Sequence, residues 1–384
     1  MTREFHASAG AQLRAARRIV VKVGSAILCG DGDDGTVRAS WLSSLADDIA
    51  QLRRAWREAV VVTSGAIALG RGRLGLARGP LKLEEKQAAS AAGQIALAEA
   101  WGAAFAAHGV TVAQILLTLD DTEHRRRYLN ARAAMRALLD LGAMPLVNEN
   151  DAVTTEEIRY GDNDRLAAHA AQIVGADLLV ILSDVDGLYT ADPRRDPSAA
   201  HLPLVEAITP DIEASAAGPN LSAGVGSGGM ESKLAAAKIA GGAGCAAIIA
   251  PGHGDNPLSA VLDGGKATLF RAAKTRESAR RQWIAGRLKP AGTIVIDDGA
   301  AKALGAGKSL LPAGVVGVRG DFARGDAVAV ENAKGEVLAQ GLSAYHADEI
   351  RRIAGRRSDE IEPLLGYRRR PAVIEKNDLV LRMS

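Results

Sequence analysis

Residues 224–233 form a glycine-rich stretch that ends at Lys233 and whose composition is typical of a phosphate-binding loop. Glycines let backbone N–H groups converge on an anion, and the helix predicted to follow adds the positive end of its dipole. The spacing is not that of Walker A, because three residues separate the last glycine from Lys233, and the stretch lies too far along the chain for a Rossmann fingerprint. The sequence therefore predicts a nucleotide-phosphate site of another type, with an ordinary surface loop as the alternative.

The elements that would position this loop are short aliphatic runs that alternate with helical patterns. The predicted strands are 19–23, 60–62, 112–117, 144–147, 178–182 and 246–250. The predicted helices are 39–54, 86–108, 128–141, 163–174 and 230–240. This alternation indicates a three-layer αβα domain with a largely parallel sheet. The aromatic content of only 3% predicts cores built from Val, Ile, Leu and Ala.

Polar and small residues follow four of these predicted strands, at 22–25, 63–66, 148–151 and 183–187. Ligands of open α/β sheets bind at the carboxyl ends of the strands, so these residues are predicted to line one site. Each of them alone could instead be a helix cap or a turn residue. Asp164 lies in the first turn of a predicted helix, where a cap at Asp162 is one explanation. The other is that Asp164 orients Lys22 and Lys233, and the sequence leaves both open.

Six motifs occur in the order in which the amino acid kinase family has them. They are Val-Val-Lys-Val-Gly-Ser at 20–25, Val-Val-Thr-Ser-Gly-Ala at 61–66, Asn-Glu-Asn-Asp at 148–151, Gly-Asp-Asn-Asp at 161–164, Asp-Gly-Leu-Tyr-Thr-Ala-Asp-Pro at 186–193 and Gly-Gly-Met-x-x-Lys at 228–233. On these motifs the chain resembles that family, and within it the branch that phosphorylates L-glutamate in the first step of proline biosynthesis. The resemblance covers nearly the whole chain except residues 1–17, which are expected to be a disordered extension.

The resemblance implies transfer of the γ-phosphoryl group of ATP, with Mg²⁺, to the side-chain carboxylate of L-glutamate, giving L-glutamyl 5-phosphate. Lys22 and Lys233 match the two family lysines that neutralise the transferring group, and Asp164 matches the acid that organises them. A general base is not needed, because a carboxylate is already ionised at neutral pH. Positioning and charge neutralisation are therefore expected to dominate catalysis.

The resemblance also assigns binding residues, and no protein metal ligand, since the metal of this family sits mainly on the phosphates. The substrate residues it implies are Ser64, Asp151 and Asn163, with Asn148 and Gly65 as neighbours. Asp151 would contact the α-ammonium group. The nucleotide residues it implies are Lys22, Ser183, Asp184, Ser227, Gly228, Gly229, Met230, Glu231, Ser232 and Lys233. Glu231 departs from the common pattern and is expected either to lie near the phosphates or to face solvent.

Beyond the predicted kinase domain, 18–270, the composition changes to a basic helical linker, 271–289. Short β-like runs then recur over 290–376, separated by Gly and Asp turns, which predicts a small, mostly β domain. Three motifs of this stretch resemble a PUA domain: Leu-Pro-Ala-Gly-Val at 311–315, Phe-Ala-Arg-Gly-Asp at 322–326 and Leu-Ser-Ala-Tyr at 342–345. PUA modules elsewhere bind RNA. Clustered arginines at 351–357 and 368–370 fit that idea, but they are equally typical of a solvated face, and aromatic platforms for bases are nearly absent. We therefore favour a structural or regulatory role for this domain.

Charge and cysteine content exclude several other classes of protein. The formal charge of +2 implies no general polyanion partner, and two distant cysteines predict buried thiols rather than a disulfide. The first apolar run is too short and charged for a signal peptide, so a cytoplasmic location is expected.

The resemblance further implies a homo-oligomer, dimeric or tetrameric, and feedback inhibition by proline. Two rival interpretations are a family member that acts on aspartate, N-acetylglutamate, a carbamoyl group or a nucleoside monophosphate, and an RNA-binding protein led by the C-terminal domain.

Overall fold

A computed structural model of the protein describes residues 2–29, 35–55, 57–77, 79–154, 163–216, 229–273, 290–367 and 370–381. The chain divides into two compact units, Met1–Thr275 and Arg276–Ser384. Several predicted features lie outside the described residues: Gly161 and Asp162, the start of the glycine-rich stretch through Gly228, the linker from residue 274 onwards, and the arginines at 368 and 369.

The N-terminal unit contains helices and strands in alternation. Its helices are α1 (Thr2–Ala15), α2 (Ser25–Cys29), α3 (Ala39–Arg54), α4 (Ala66–Arg73), α5 (Leu83–Ala106), α6 (Leu119–Glu123), α7 (Arg125–Asp140), α8 (Asn163–Val174), α9 (Pro210–Ala216), α10 (Met230–Gly242) and α11 (Pro257–Leu262). Its strands are β1 (Arg18–Val23), β2 (Glu58–Thr63), β3 (Val112–Leu117), β4 (Met144–Glu149), β5 (Leu178–Ser183), β6 (Leu188–Tyr189), β7 (His201–Leu202), β8 (Leu204–Val205), β9 (Ala246–Pro251) and β10 (Thr268–Phe270).

Eight of these strands form one sheet in the order β3-β4-β2-β1-β5-β9-β10-β8. All neighbouring strands are parallel except β9 and β10, which pair antiparallel. Strand β1 lies between β2 and β5. The chain builds β2, β3 and β4 on one side of β1, and then crosses to the other side to form β5. The carboxyl ends of β1 and β5 therefore meet at the point where the strand order reverses, which is where open sheets of this kind bind ligands.

Both faces of the sheet are covered by helices. Alternate residues of β1 point to opposite faces, so Ile19, Val21 and Val23 pack with α3 and α5, while Val20 packs in a second core with α8 and α10. Most side chains in both cores are aliphatic or alanine, as the composition predicts. The predicted three-layer αβα architecture is confirmed.

The N-terminal segment differs from its prediction. In place of the disordered extension expected over residues 1–17, the structure has α1, whose residues Ala9 and Leu13 are fully buried in the first core. A Cβ at Gly10 would lie 2.8 Å from the backbone oxygen of Val261, so glycine allows α1 to pack directly on α11. The buried residues Ala9 and Leu13 are four residues apart and so share one face of α1, and this tertiary packing orders the segment.

Helix α4 was not predicted, because its sequence contains two glycines and two arginines and lacks a clear apolar stripe. It begins at Gly65, whose φ of +108° is left-handed, and crosses α5 very closely. A Cβ at Gly70 would lie 1.7 Å from the oxygen of Ala89, and one at Gly93 would lie 1.7 Å from the oxygen of Ala66. These glycines therefore serve helix packing rather than a loop.

The C-terminal unit is built around a second sheet. Its elements are β11 (Gly292–Ile296), α12 (Asp298–Gly305), β12 (Val315–Gly320), β13 (Ala327–Asn332), β14 (Val337–Leu342), α13 (Ala347–Ile353), α14 (Ile361–Leu365) and β15 (Leu379–Leu381). The five strands have the order β12-β11-β13-β14-β15, and only β11 and β13 are parallel. Near the end of the predicted stretch 290–376, Ile374 forms an isolated bridge with Leu310, and β15 takes the edge position of the sheet.

Among the described residues, no helix combines the length and the apolar character that a membrane crossing requires.

Candidate active site

Three charged side chains meet at the carboxyl end of the central strand. Lys22 Nζ lies 2.6 Å from Asp164 Oδ1, and Lys233 Nζ lies 3.3 Å from Asp164 Oδ2. The Asp164 carboxylate is fully buried, and both lysines are more than nine-tenths buried. One carboxylate thus holds two ammonium groups, which fixes both of their positions.

This cluster carries one net positive charge, since two ammonium groups face one carboxylate. Burial alone would raise the pKa of Asp164, but the charges of Lys22 and Lys233 outweigh it and hold that pKa below its usual range. The carboxylate therefore stays ionised at neutral pH. A buried excess of positive charge is costly unless an anion neutralises it, so the cluster favours an anionic ligand.

Each member of the cluster is delivered by the start or end of an element. Lys22 is the penultimate residue of β1, Asp164 lies in the first turn of α8, and Lys233 lies in the first turns of α10. Helices α8 and α10 pack side by side on the same face of the sheet. The N-terminal ends of both helices add positive dipole potential at the point where the two lysines already lie.

Asn163 ties together the ends of two neighbouring strands. Its Nδ2 donates to the Thr63 carbonyl oxygen at 3.1 Å, to Ser64 Oγ at 2.6 Å and to Asn148 Oδ1 at 3.2 Å. Its Oδ1 is buried and has no hydrogen-bond partner within the described parts of the chain. A buried acceptor of this kind is suited to a donor on a bound molecule.

Four of the predicted substrate residues therefore lie together, since Ser64 and Asn148 each accept a hydrogen bond from Asn163 and Gly65 follows Ser64 directly. The Ser64 N–H donates to the Val23 carbonyl oxygen at 3.0 Å, which fixes this turn against β1. Gly65 supplies the left-handed backbone that starts α4. A substrate held here would lie beside the end of β1, where Lys22 is found.

Asp151 lies just beyond β4 and receives a hydrogen bond that the sequence did not reveal. Ser90 Oγ on α5 donates to Asp151 Oδ2 at 3.1 Å. Burial raises the pKa of Asp151 above its usual range, and the hydrogen bond from Ser90 opposes that rise. The sequence analysis treated α5 only as a predicted helix, although the polar residues at 87, 90 and 94 share one face at spacings of three and four.

Among the described residues, the predicted nucleotide residues other than Lys22 lie at the carboxyl end of β5 and the start of α10. Ser183 Oγ donates to Asp184 Oδ1 at 2.8 Å, and the Ser183 carbonyl accepts from the Gly252 N–H at 2.6 Å. Gly229 caps α10 and is followed by Met230, while Glu231 is exposed and faces solvent. Ser227 and Gly228 lie outside the described residues.

Ser232 supplies a further polar atom at this helix start. Its Oγ is buried and has no hydrogen-bond partner among the described residues. Together with Lys233 and the helix N-terminus, this hydroxyl forms a donor set that fits phosphate oxygens. No group of three or more His, Cys, Asp or Glu in the described part of the chain could hold a metal ion.

An anion-binding cluster at the reversal point of a three-layer αβα sheet, next to a glycine-capped helix, defines a phosphate-handling α/β protein. The chain belongs to the amino acid kinase family, which matches residues 17–251. The PUA domain matches residues 292–365. The family resemblance drawn from the six motifs and the PUA resemblance drawn from residues 290–376 are both confirmed.

Two curated relatives carry the name glutamate 5-kinase. The protein from Paramagnetospirillum magneticum is 55% identical over 369 residues, which cover 96% of this chain and 99% of that relative. The protein from Brucella ovis is 57% identical over 375 residues, covering 97% and 98% respectively. Among solved structures, UMP kinase from Ureaplasma parvum aligns with a TM-score of 0.46 and 15% identity, over 66% of this chain and 98% of that one.

Proposed function

We propose that the protein is a glutamate 5-kinase, which transfers the γ-phosphoryl group of ATP to the side-chain carboxylate of L-glutamate and yields L-glutamyl 5-phosphate and ADP. This is the reaction that opens proline biosynthesis. The observation that carries the proposal is the fully buried Asp164 carboxylate that holds Lys22 and Lys233 together. The two relatives named above support the choice of substrate.

Electrostatics is the main catalytic contribution in this proposal. Negative charge on the transferring phosphoryl group and on the two oxygens that flank it must be neutralised, and little covalent help from the protein is required. Lys22 and Lys233 supply the neutralising positive charge. Each pairs with a different carboxylate oxygen of Asp164, so Asp164 keeps them from moving apart. Both nucleophile and leaving group are oxygens that are ionised or become so, so the protein does not need a general base.

The substrate side is assigned to the residues that β2, β4 and α8 bring together. Asp151 is the partner for the α-ammonium group of L-glutamate, because it is an acidic group that follows β4 at the carboxyl end of the sheet. Ser64 and the Gly65 backbone contact the rest of the amino acid. The orphaned Asn163 Oδ1 is consistent with a donor on the substrate.

The nucleotide is assigned to the other side of the lysine cluster. Lys233, Ser232 and the N-terminus of α10 bind phosphate oxygens, while Ser183 and Asp184 lie next to them at the end of β5. Residues 227–231 are assigned to the same phosphate site from the family resemblance. Mg²⁺ would enter as the complex with ATP and neutralise phosphate charge.

The rival interpretations make different predictions about substrate and cofactor. Other members of the family would phosphorylate a different acceptor with the same lysine cluster. An RNA-binding protein led by its C-terminal unit would not use Lys22 or Lys233 at all, and its binding would fall steeply with salt. The arginines Arg351, Arg352, Arg356, Arg357 and Arg370 do not favour that interpretation, because each of them contacts a neighbouring carbonyl or carboxylate of the same unit.

The test is the trapping of acyl phosphate by hydroxylamine. Purified protein is incubated with ATP, Mg²⁺ and hydroxylamine, and hydroxamate formation is compared for L-glutamate, L-aspartate and N-acetyl-L-glutamate. We expect product with L-glutamate and little with the other two. Product with either of the others alone, or with none from folded protein that binds ATP, would contradict the proposal.

A further inference from the structure

The buried face of α5 changes character along its length. Towards its carboxyl end that face is apolar and carries Leu97, Trp101 and Phe105, which belong to the first core. Towards its amino end the same face carries three polar side chains, Gln87, Ser90 and Gln94, which we call the α5 polar stripe. Ser90 has no exposed surface, and Gln94 is 7% exposed.

All three members of the stripe contact residues 149–154, which are the last residue of β4 and the segment that follows it. Gln94 Nε2 donates to the Glu149 carbonyl oxygen at 3.2 Å, and Gln87 Nε2 donates to the Thr154 carbonyl oxygen at 3.1 Å. Between them, Ser90 Oγ donates to Asp151 Oδ2 at 3.1 Å. The helix thus holds residues 149–154 at three points, and at one of them Ser90 bonds to the side chain of Asp151.

Helix formation does not explain a serine at this position. Ser90 stands among the alanines of 88–92, and alanine is the better helix former. A buried hydroxyl is costly unless it forms a hydrogen bond, and serine in a helix interior competes with the backbone for such bonds. The hydroxyl of Ser90 meets this requirement through the Asp151 carboxylate.

We propose that Ser90 is a positioning residue that anchors Asp151 through Oδ2 and so presents Oδ1 to the ammonium group of the amino acid substrate. This inference rests on the proposed function, because it needs an amino acid at the end of β4. The hydrogen bond also favours the ionised form of Asp151, which burial disfavours, and only the ionised form attracts an ammonium group.

The test compares Ser90→Ala with Ser259→Ala as a matched control. Ser259 Oγ donates to Oδ1 of the buried Asp48 at 2.5 Å, so the control removes the same kind of hydrogen bond elsewhere in the same unit. For Ser90→Ala we expect KM for L-glutamate to rise roughly threefold to tenfold, the effect of weakening one hydrogen bond to a charged group. We expect KM for ATP and kcat to stay within about twofold of the wild-type values. Ser259→Ala should change neither KM.

A dicarboxylate without the ammonium group gives a second readout. Glutarate should inhibit Ser90→Ala and wild-type protein equally, because the ammonium contact is the one that is weakened. An unchanged KM for L-glutamate in Ser90→Ala, or a parallel loss of glutarate and ATP binding, would overturn the inference. Calorimetric titration of L-glutamate separates the two proposals. A wild-type protein that binds L-glutamate but forms no hydroxamate would overturn the proposed reaction. The role of Ser90 would then be decided by comparing the affinity for L-glutamate of the wild-type protein with that of Ser90→Ala.

Discussion

At the scale of single residues, the balance of charge around Asp164 accounts for both the order and the chemistry of the site. Two lysines more than nine-tenths buried would repel each other strongly without the carboxylate between them. With it, their ammonium groups are held in place before any ligand binds. Preorganised charge of this kind lowers the barrier to phosphoryl transfer because no groups need to move as charge develops.

The raised pKa of Asp151 leads to a prediction about pH. A carboxyl group whose pKa is raised takes up its proton at a higher pH than an ordinary aspartate does, and once neutral it no longer attracts an ammonium group. As the pH falls, KM for L-glutamate should therefore begin to rise at a pH above the ordinary aspartate pKa of about 3.9. KM for ATP should change less. Steady-state kinetics of the wild-type protein over mildly acidic buffers measures both constants.

The control for this prediction is Asp151→Asn, whose KM for L-glutamate should be high at every pH and should lack that acid-dependent rise. A wild-type KM that stays constant until the pH reaches the ordinary range would show that Asp151 does not contact the substrate in its ionised form.

Much of the site could be predicted at this scale, and the reason is topological. The carboxyl ends of parallel strands meet at one edge, so the sequence placed Ser64, Asn148 and Ser183 near the same edge without any structure. Ser90 could not be found this way, because it approaches Asp151 from a helix interior surrounded by alanines. The exposure of Glu231 likewise depends on which side of α10 faces the sheet, and the sequence left that open.

At the scale of elements, the close crossing of α4 and α5 supports the proposed substrate side of the site. Helix α4 starts at Gly65, directly after Ser64, and α5 carries the polar stripe that holds residues 149–154. The two helices can approach only because Gly70 and Gly93 lack side chains. Any change that separates the helices should therefore shift both halves of the substrate region.

Substitution of these glycines gives a matched pair of variants on one helix. Gly93→Ala places a Cβ 1.7 Å from the Ala66 oxygen, so we expect a loss of about 3 kcal/mol or more in the free energy of unfolding. Gly102→Ala on the same helix meets nothing within 4 Å and should gain about 0.5–1 kcal/mol from reduced backbone entropy. Urea unfolding followed by circular dichroism measures both. Equal changes in the two variants would mean that the crossing is looser than described.

The elements that the sequence predicted well are those whose patterns are local, such as β1 and α8. Helix α4 was missed because glycines placed for packing resemble glycines placed for turns. The short strands β8 and β10 at the sheet edge, and β15 in the C-terminal unit, were missed because two or three residues carry no periodic signal.

At the scale of the whole molecule, the chain consists of two units with separate cores. The C-terminal core is built around residues such as Ile294, Val328 and Tyr345, and it shares no member with the two cores of the N-terminal unit. Every residue of the candidate active site belongs to the N-terminal unit. The chemistry should therefore tolerate moderate destabilisation of the C-terminal unit.

Tyr345→Phe tests this independence. The Tyr345 hydroxyl donates to the Arg370 carbonyl oxygen and accepts from the Arg370 N–H at 3.2 Å, so its removal should cost about 1–3 kcal/mol. Calorimetry should show a lower unfolding temperature for the C-terminal unit, while hydroxamate formation stays at the wild-type rate. Tyr128→Phe, which removes a 3.3 Å bond to the Gln172 carbonyl in the other unit, should leave the C-terminal transition unchanged. An equal loss of activity and stability in Tyr345→Phe would show that the site depends on the second unit.

The most direct test of the lysine cluster compares Lys233→Ala with Lys238→Ala in the hydroxamate assay with L-glutamate. Both lysines lie on α10, but Lys238 is exposed and pairs with Glu213, whereas Lys233 is buried against Asp164. We predict that kcat falls by roughly a hundredfold to a thousandfold in Lys233→Ala, the usual effect of losing one preorganised charge, and stays near the wild-type value in Lys238→Ala. A Lys233→Ala protein that is folded and retains most of its kcat would contradict the assignment of phosphoryl transfer to this cluster.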